Sequence, residues 1–252
     1  LPVVYAGVMR DFTFAYSGTG SIGGGGDNDS HIMLSGLFTD ELQHTGTFPT
    51  RRLIDRRAIQ STGEHGTADN GTISDAYRNL HKARRAAEQA EELYAAADAG
   101  PSSDRSVVSS IEGFTYILFG ELYCEGVPYS SRSIDGATVT FGTPSTRQET
   151  FNRAITAFDR AKEHIDPLIA SAEQAIAEAN QAIADAEDDD ERKEAEADKQ
   201  AAEKAKAAAE SIQYLARVGK ARALLNLGDA QAAAAEVSVV PDEWEFAIEH
   251  SA

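Results

Sequence analysis

The stretch SSIEGFTYILFGELYCEGVPY, residues 109–129, decides the fold that we predict for this chain. Wound at 3.6 residues per turn, its large apolar side chains leave no wide polar face, which is typical of a helix buried on most sides. Gly126 can adopt the left-handed conformation that ends a helix, and Pro128 cannot continue one. We therefore predict a central buried helix that other, amphipathic helices surround. The side chains that carry this prediction are Phe114, Tyr116, Ile117, Leu118, Phe119, Leu122 and Tyr123.

The bulk composition is that of a globular protein with a substantial core. The chain has 252 residues, of which 42% are hydrophobic and 25% charged. At this size roughly three quarters of the unfolded surface can be buried. No apolar run approaches the about 18 to 20 residues that a membrane helix requires.

The net charge of -18 argues against nucleic acid as a partner. The sequence pI is near 4.7, so most of the surface would repel a phosphate backbone. The single cysteine, Cys124, excludes an internal disulfide framework. Because Cys124 falls inside the aromatic segment, we expect a buried thiol.

Two helices are predicted in the N-terminal part. Pro2 suits a first helical turn, and Val4, Val8 and Phe12 recur at fours, which favours a helix from residue 2 to about 16 over a strand. Asp29 or Ser30 can cap a second helix that runs through Glu41. Its expected apolar side consists of Leu34, Leu37, Phe38 and Leu42.

The glycine-rich segment between these helices satisfies the G-x-G-x-x-G pattern of dinucleotide-binding loops through Gly18, Gly20 and Gly23. That motif requires a preceding strand and a helix that opens within it. The sequence instead continues into further glycines, which favours a flexible loop. Asp27 and Asp29 are candidate hard-cation ligands, but the later ligands of a calcium loop are missing.

A cluster of four arginines stands out in so acidic a chain: Arg51, Arg52, Arg56 and Arg57. They could bind an anionic ligand or partner. We favour the alternative that they pair with neighbouring carboxylates.

An amphipathic helix is predicted from Thr72 to Ala97, closed by Gly100 and Pro101. It precedes the aromatic helix directly, so we expect the two to form an antiparallel hairpin. Its inward positions step by threes and fours: Ile73, Tyr77, Leu80, Ala83, Ala87, Ala90, Tyr94 and Ala97. Arg78, Lys82, Arg85, Glu88 and Glu92 lie on the predicted outer face.

A third helix is predicted after a loop that contains a short strand at Thr138 to Phe141. The residues Thr146 to Glu149 spell a T-x-x-E capping box. Its inward stripe is Phe151, Ala154, Ile155, Phe158, Ala161 and Ile165.

From Pro167 to about Glu210 the chain consists almost entirely of Ala, Glu, Asp, Lys and Gln. Such a segment has a high helix propensity and little to bury. We predict an insertion at about 168–210 that forms a charged hairpin of two solvated helical arms, turning near Asp188 to Asp190. Partial disorder is the alternative.

The last predicted pair lies in IQYLARVGKARALLNLGDAQAAAAEVSVVP, residues 212–241. Leu227, Gly228 and Asp229 form the turn, and Ala232 to Val237 begins the second helix. The segment partly matches a tetratricopeptide unit. It shares the pattern of small residues, the turn between the two helices and the proline that closes the second helix. The predicted inward residues of the first helix are Leu215, Val218, Ala221, Leu224 and Leu225.

Taken in order, these pieces resemble the N-terminal, tetratricopeptide-like half of the SusD/RagB family of outer-membrane nutrient-uptake lipoproteins. The resemblance rests on DAYRNLHKARRAAEQ (75–89), GFTYILFGELYCEGVPYS (113–130), TRQETFNRAITAFDRAKEHI (146–165) and ARVGKARALLNLGDAQAAAAE (216–236). The aromatic helix ending in G-V-P-Y is the most specific of the four. The expected fold is a single all-α, SusD-like domain over residues 1–252, built from tetratricopeptide-like hairpins and carrying the acidic insertion.

The resemblance implies a lipid-anchored cell-surface protein that captures glycans or other nutrients and works with a TonB-dependent, SusC-like transporter in the outer membrane. The family's lipid-bearing cysteine is not in this chain, which opens at Leu1 like a mature or excised piece. Most ligand contacts in the family come from a second, loop-rich half, so no ligand-binding residue can be transferred and the site stays unknown.

No catalytic residue, metal ligand or cofactor is predicted. The six histidines, His31, His44, His65, His81, His164 and His250, include no pair at helical metal-ligand spacing. The H-E-x-x-H, G-x-S-x-G and C-x-x-C motifs do not occur. Tyr129, Phe141 and Trp244 could stack on sugar rings, although core packing is the favoured interpretation for each. A helical-repeat scaffold that binds protein or its own copies is the alternative function.

Overall fold

The computed structural model describes residues 2–18, 29–62 and 70–247. The all-α prediction is confirmed, since 71% of the described residues are helical and the strands among them are few and short. The described residues form two compact units, the first reaching to Ala87 and the second spanning Glu88–Phe246. The boundary between the two units falls within a helix, between Ala87 and Glu88.

Eight helices and four two-residue strands make up the regular structure of the described residues. The helices are α1 Pro2–Ser17, α2 His31–Phe38, α3 Pro49–Asp55, α4 Gly71–Ala96, α5 Ser103–Leu122, α6 Arg147–Asp185, α7 Asp189–Asn226 and α8 Ala230–Val237. The strands are β1 Val127–Pro128, β2 Ser131–Arg132, β3 Val139–Thr140 and β4 Pro144–Ser145. Two antiparallel pairs result, β1 with β4 and β2 with β3, and β3 confirms the strand predicted near Thr138.

In the first unit, α1 confirms its prediction, whereas α2 is shorter than expected. Ser30 caps α2 by accepting a hydrogen bond from the backbone N–H of Met33, but the helix ends at Phe38 instead of Glu41. The chain reverses because Asp40 adopts a left-handed φ of 64° and the Leu42 N–H donates to the Gly36 carbonyl. Phe38 and Leu42 are consequently exposed. The prediction that they belong to the apolar side of α2 was therefore wrong.

The helix α3 was missed by the sequence analysis, which took its arginines as the only feature of the segment. Pro49 occupies its first turn, a position that proline favours. The start of α4 is fixed by the buried Asn70, whose Oδ1 accepts from the Ile73 N–H at 3.2 Å and whose Nδ2 donates to the Thr50 carbonyl at 3.2 Å. The prediction for α4 was correct to within a residue at each end.

In the second unit, α5 is the central buried helix that its sequence predicts. Its residues from Ser106 to Gly120 are buried, with Phe114 only partly so. The end of the helix differs from the prediction, because Tyr123 is the C-cap and Cys124 takes the left-handed conformation with φ 59°. Cys124 therefore lies beyond the helix and is exposed, so the prediction of a buried thiol was wrong. Leu122 is also exposed.

The capping box of α6 is present, with Thr146 and Glu149 each accepting from the other's backbone N–H. The helix does not stop at Pro167 but continues to Asp185. Proline removes the hydrogen bond to the carbonyl four residues earlier. Since both Pro167 and Glu163 are exposed, water can hydrate the freed carbonyl, and the helix passes through.

The acidic segment forms two long helical arms, as predicted, with α6 and α7 packed against each other. Asp188 caps α7 by accepting from the N–H groups of Asp190 and Glu191. The residues buried along the arms are small: Ala172, Ala179, Ala195 and Ala209. Alanine lets two helices approach closely with little apolar area, which is why the surrounding surface can remain charged.

The C-terminal pair is α7 and α8, joined at Gly228 with φ 87° and capped by Asp229. The helix α8 begins at Ala230, two residues earlier than predicted. Leu215 and Ala221 are buried as expected, but Leu225 is 58% exposed and does not face inward. The tetratricopeptide-like character of this pair stays a prediction.

The three longest helices of the second unit pack closely where one phenylalanine ring contacts two glycines. The ring of Phe158 on α6 is fully buried between Gly113 of α5 and Gly219 of α7. A Cβ on Gly113 would lie 2.6 Å from this ring, and one on Gly219 would lie closer still. Only glycine at both positions leaves room for the phenylalanine.

Gly219→Ala is accordingly expected to destabilise the protein by about 1 to 3 kcal/mol, the typical cost of overpacking a core. Urea unfolding followed by circular dichroism would measure this. Gly7→Ala is the matched control, because Gly7 lies in α1 and a Cβ added there would meet no atom within 4 Å. Removing a helical glycine at that position should raise stability by about 0.5 to 1 kcal/mol. Equal effects of the two substitutions would contradict the packing described.

Candidate functional site: a polar cleft above buried charges

A polar cleft of about 490 Å³ opens in the second unit beside the central helix. Its walls come from α5, the first turns of α6 and the segment that contains β4. The lining residues are Glu112, Tyr116, Thr143, Pro144, Ser145, Glu149, Asn152, Arg153 and Thr156. This volume falls within the range of about 300 to 1,000 Å³ that small-molecule sites occupy.

The β4 wall is held in place by backbone contacts. Val127 of β1 pairs with Ser145, and the Gly126 N–H donates to the Ser145 carbonyl at 2.8 Å. Gly142 lies against the backbone of Tyr129. A Cβ added to Gly142 would lie 2.5 Å from the Tyr129 backbone atoms. The G-V-P-Y sequence thus contains the strand β1, which supports the β4 wall of the cleft from behind.

The floor of the cleft is charged and buried. Glu112 of α5 pairs with the guanidinium of Arg160 on α6. The Arg160 Nε donates to the Ser109 hydroxyl at 3.1 Å, and that hydroxyl donates to Glu91 Oε1 at 2.9 Å. Three helices are connected by this chain of contacts, because Glu91 lies on α4.

Glu91 is the centre of the deeper part of this network. Its Oε2 accepts from Arg105 at 3.0 Å and lies 3.3 Å from the Nε2 of His164. Glu88 accepts from the Tyr116 hydroxyl at 2.6 Å. Within the second unit, these bonds join the end of α4, from Glu88 onward, to α5 in antiparallel order, as the predicted hairpin requires.

The two buried glutamates have opposite pKa shifts. Burial raises the pKa of Glu112 to about 7, although the Arg160 charge opposes the shift; the nearby carboxylates of Glu88 and Glu91 add to it. Burial also acts to raise the pKa of Glu91, but hydrogen bonds from His164, Arg105 and Ser109 outweigh it and lower that pKa. Glu112 therefore exchanges a proton near neutral pH, whereas Glu91 stays ionised.

The raised pKa of Glu112 predicts a specific pH dependence of stability. Its folded-state pKa lies above the ordinary value of 4.5, so its contribution is fully present below that value and is lost as pH rises towards and through 7. Between pH 5 and pH 8 the wild type should lose about 2 to 3 kcal/mol relative to Glu112→Gln, which cannot ionise. Urea unfolding of both proteins at the two pH values tests this. If the free energy of unfolding changed by the same amount between the two pH values in both proteins, the pKa of Glu112 would not be raised by folding.

The three aromatic residues considered as stacking surfaces for sugar rings differ in their burial. Tyr129 is buried and its hydroxyl bonds to Thr150 at 2.9 Å, so it cannot serve as an open stacking surface. Trp244 is half-buried, donates to the Ser211 hydroxyl at 3.0 Å and contacts Tyr214 edge-on. Phe141 is 84% exposed, so the expectation that it packs in the core was wrong.

Two of the four arginines in the cluster pair with neighbouring carboxylates, which is the interpretation that the sequence favoured. Arg51 pairs with Asp29 at 2.8 Å and Arg57 with Asp40 at 2.8 Å. Arg52 and Arg56 are exposed. Because Asp29 is engaged by Arg51, it is not available as a cation ligand; its proposed partner Asp27 lies outside the described residues.

Other sequence candidates are not brought together into a site. Gly18 follows the helix α1, not the strand that a dinucleotide loop requires, while Gly20 and Gly23 lie outside the described residues. His65 and His250 also lie outside them. Among the residues that are described, no group of three or more His, Cys, Asp or Glu side chains could hold a metal ion.

The buried charges were the feature that sequence analysis missed. Glu112 is the one charged residue in the apolar run from Val107 to Gly120, which was a usable signal that its partner is buried too. Glu91 and Arg160 carried no such signal, since each lies on a helix with many exposed charges.

A scan against protein-family models and searches of curated proteins and of solved structures found nothing that matches this chain. The fold and the cleft together define an all-α protein with a polar small-molecule-sized site. None of the helices in the described residues has the length and apolar character needed to cross a membrane.

Proposed function

We propose that this protein is a SusD-like nutrient-binding protein of the cell surface. In this proposal it is lipid-anchored in the outer membrane and delivers an oligosaccharide or another nutrient to a TonB-dependent, SusC-like transporter. It binds its ligand without catalysing a reaction, and its helices form tetratricopeptide-like hairpins.

The observation that carries the proposal is the course of the chain around the aromatic helix. The segment 113–130 forms the buried half of α5 and leads through G-V-P-Y into β1. The segment 146–165 begins at the capping box of α6, and 216–236 covers the turn from α7 to α8. The most specific element of the resemblance is thus also the packing centre of the second unit.

Calorimetry with a panel of neutral and acidic oligosaccharides tests ligand capture. The proposal expects heat of binding with at least one of them and none with a charge-matched set of nucleotides. No heat from any saccharide with the full-length natural protein would count against capture of glycans.

A helical-repeat scaffold is the second candidate, and one observation favours it. The arms of α6 and α7 extend a charged surface over two helices of 39 and 38 residues, and extended helical surfaces are common in protein recognition. Light scattering after size-exclusion chromatography would separate the two functions, because a scaffold for self-assembly should form defined oligomers. A strict monomer would exclude self-assembly.

A further inference from the structure

We propose that the exposed side of α3 and the adjoining end of α2 form a surface that binds an anionic lipid bilayer. The inference goes beyond the proposed function, because a lipid anchor tethers a protein without fixing which of its surfaces meets the lipid headgroups. This α3 surface lies entirely within the first unit. It consists of Phe38, Leu42, Phe48, Arg52 and Arg56, all of which are exposed.

An aromatic ring and two guanidinium groups follow one another along one side of α3. The Arg52 N–H donates to the Phe48 carbonyl at 3.2 Å, and the Arg56 N–H donates to the Arg52 carbonyl at 3.1 Å, so the three residues are spaced one helical turn apart. The helix buries its opposite side through Ile54. The Arg51 guanidinium lies over the Phe48 ring, 4.8 Å from its centroid, and the ring is still 60% exposed.

The end of α2 adds further apolar side chains beside the end of α3. Arg57, which follows α3, donates to the Phe38 carbonyl at 3.0 Å and holds the two ends together. The side chains of Phe38 and Leu42 are 56% and 46% exposed. Five of the eleven large hydrophobic side chains that are exposed among the described residues lie before residue 49, although that part is a minor share of the chain.

The two arginines of the α3 surface are free to bind an anion. Neither the Arg52 nor the Arg56 side chain forms a hydrogen bond or an ion pair with any residue that the structure describes. Of the three carboxylates between residues 38 and 57, two are engaged by other groups, and only Glu41 opposes the two guanidinium groups. Guanidinium binds phosphate through paired hydrogen bonds, and phosphate is the charged group of an anionic lipid.

The distribution of charge along the chain favours the first unit as the part that approaches an anionic bilayer. Residues 1–87 contain nine basic and nine acidic residues, so their net charge is 9 minus 9, or zero. Residues 88–252 contain 14 basic and 32 acidic residues, so they carry 14 minus 32, or the whole -18. An anionic surface therefore repels the second part and not the first. Exposed charges farther away than about 8 Å are largely screened at physiological salt.

The combination of side chains favours a bilayer over an acidic protein. Arginines alone would suit either partner. An acidic polypeptide in solution would pair with Arg52 and Arg56 but leave the neighbouring apolar side chains in water. A bilayer offers phosphate groups and an apolar layer within a few ångströms of each other, which is the environment that mixed basic and aromatic surfaces bind.

The test is co-sedimentation of the full chain with lipid vesicles. The vesicles consist of phosphatidylcholine alone or of phosphatidylcholine mixed with phosphatidylglycerol, and soluble polyglutamate is the acidic polypeptide probe. We expect binding to the vesicles that contain phosphatidylglycerol, weaker binding as salt is raised, and little binding to phosphatidylcholine alone. Binding to polyglutamate without binding to either vesicle would overturn the bilayer as the partner and indicate an acidic protein.

A charge reversal with a matched control locates the surface. Arg52→Glu combined with Arg56→Glu should lower the partition coefficient about thirtyfold or more, since each arginine near an anionic surface contributes about a factor of five. Arg78→Glu combined with Arg192→Glu changes two exposed arginines that belong to neither α2 nor α3. Both double variants shift the net charge from -18 by -4, to -22, but the control should bind nearly as well as the wild type. Equal losses in the two would show a bulk charge effect and overturn the α3 surface.

A second pair of variants tests the apolar contribution. Phe48→Ser should lower the partition coefficient about tenfold, because its ring no longer enters the apolar layer. Phe141→Ser removes a ring that is 84% exposed in the second unit and should leave binding unchanged. All substituted side chains are exposed, so circular dichroism should show the same helical content in every variant.

The outcomes separate this inference from the proposed function. A chain that binds neither vesicle, or binds independently of Arg52, Arg56 and Phe48, overturns the α3 surface and leaves capture and delivery of a nutrient intact. Vesicle binding that these substitutions abolish supports the α3 surface even if no saccharide and no transporter binds the chain.

Discussion

Phe119→Ala is expected to lower the free energy of unfolding by about 3 to 5 kcal/mol. Phe119 has no exposed surface and lies on the central helix α5. Its ring contacts Tyr123 and Tyr129, with centroid separations of 5.8 and 5.5 Å. The backbone around Phe119 is locked as well, because a Cβ on Gly120 would lie 2.6 Å from the Phe151 ring. The site therefore cannot collapse to fill the cavity, which places the expected loss in the upper range for buried side chains.

Equilibrium unfolding in urea measures this loss, and Phe141→Ala is the control. Phe141 is the same residue type at an exposed position, so its removal should change stability by less than about 0.5 kcal/mol. A loss below about 1 kcal/mol for Phe119→Ala would show that α5 is not the packing centre of the second unit.

Glu91→Ala is expected to cost a similar amount, about 3 to 5 kcal/mol, for a different reason. Removing one partner of a buried ion pair leaves the other charge without compensation. The Arg105 guanidinium, 13% exposed, would lose its carboxylate. The Ser109 hydroxyl and His164 would lose their contacts with Glu91 at the same time. Because the ordinary ion pair of a protein surface contributes little, the size of the effect reports burial directly.

The matched control is Glu163→Ala, which removes an exposed glutamate next to His164 on α6. We expect a change within about 0.5 kcal/mol. Comparable losses for the two substitutions would mean that the network around Glu91 is solvated. A Glu91→Gln variant adds a second measurement, since the amide keeps the shape and some hydrogen bonds but removes the charge.

The helices with strong periodicity could be predicted because their pattern is local. The positions of α4, α5 and the start of α6 follow from the spacing of apolar residues and from the T-x-x-E box, which need no tertiary information. The arms were also predictable, since a long run of alanine and charged residues has few structures open to it.

The errors arose where tertiary contacts decide the backbone. Cys124 was assigned to α5 because the apolar run continues through it, but the pairing of β1 with β4 draws the chain away after Leu122. The insertion was predicted to begin at about residue 168, where the composition changes after Pro167, but α6 runs through Pro167 without a break because the freed carbonyl is exposed. The short α3 has too few residues to show a period.

The cleft could not be predicted at all. Its residues come from three separate parts of the sequence, near 112, near 144 and near 153, and no motif links them. Only the packing of α5 against α6 and the pairing of β4 with β1 bring them together. The sequence did contain one sign of the buried network beneath it, since Glu112 is the one charged residue in the apolar run from Val107 to Gly120.

The proposal that this protein captures a nutrient for a transporter is tested most directly by purification of the native protein from detergent-solubilised outer membranes of the cells that produce it. Mass spectrometry of the complex and light scattering of the purified sample identify and count the partners. We expect a stoichiometric complex with a TonB-dependent barrel protein that withstands size-exclusion chromatography. A protein that elutes as a strict monomer with no barrel protein would contradict it.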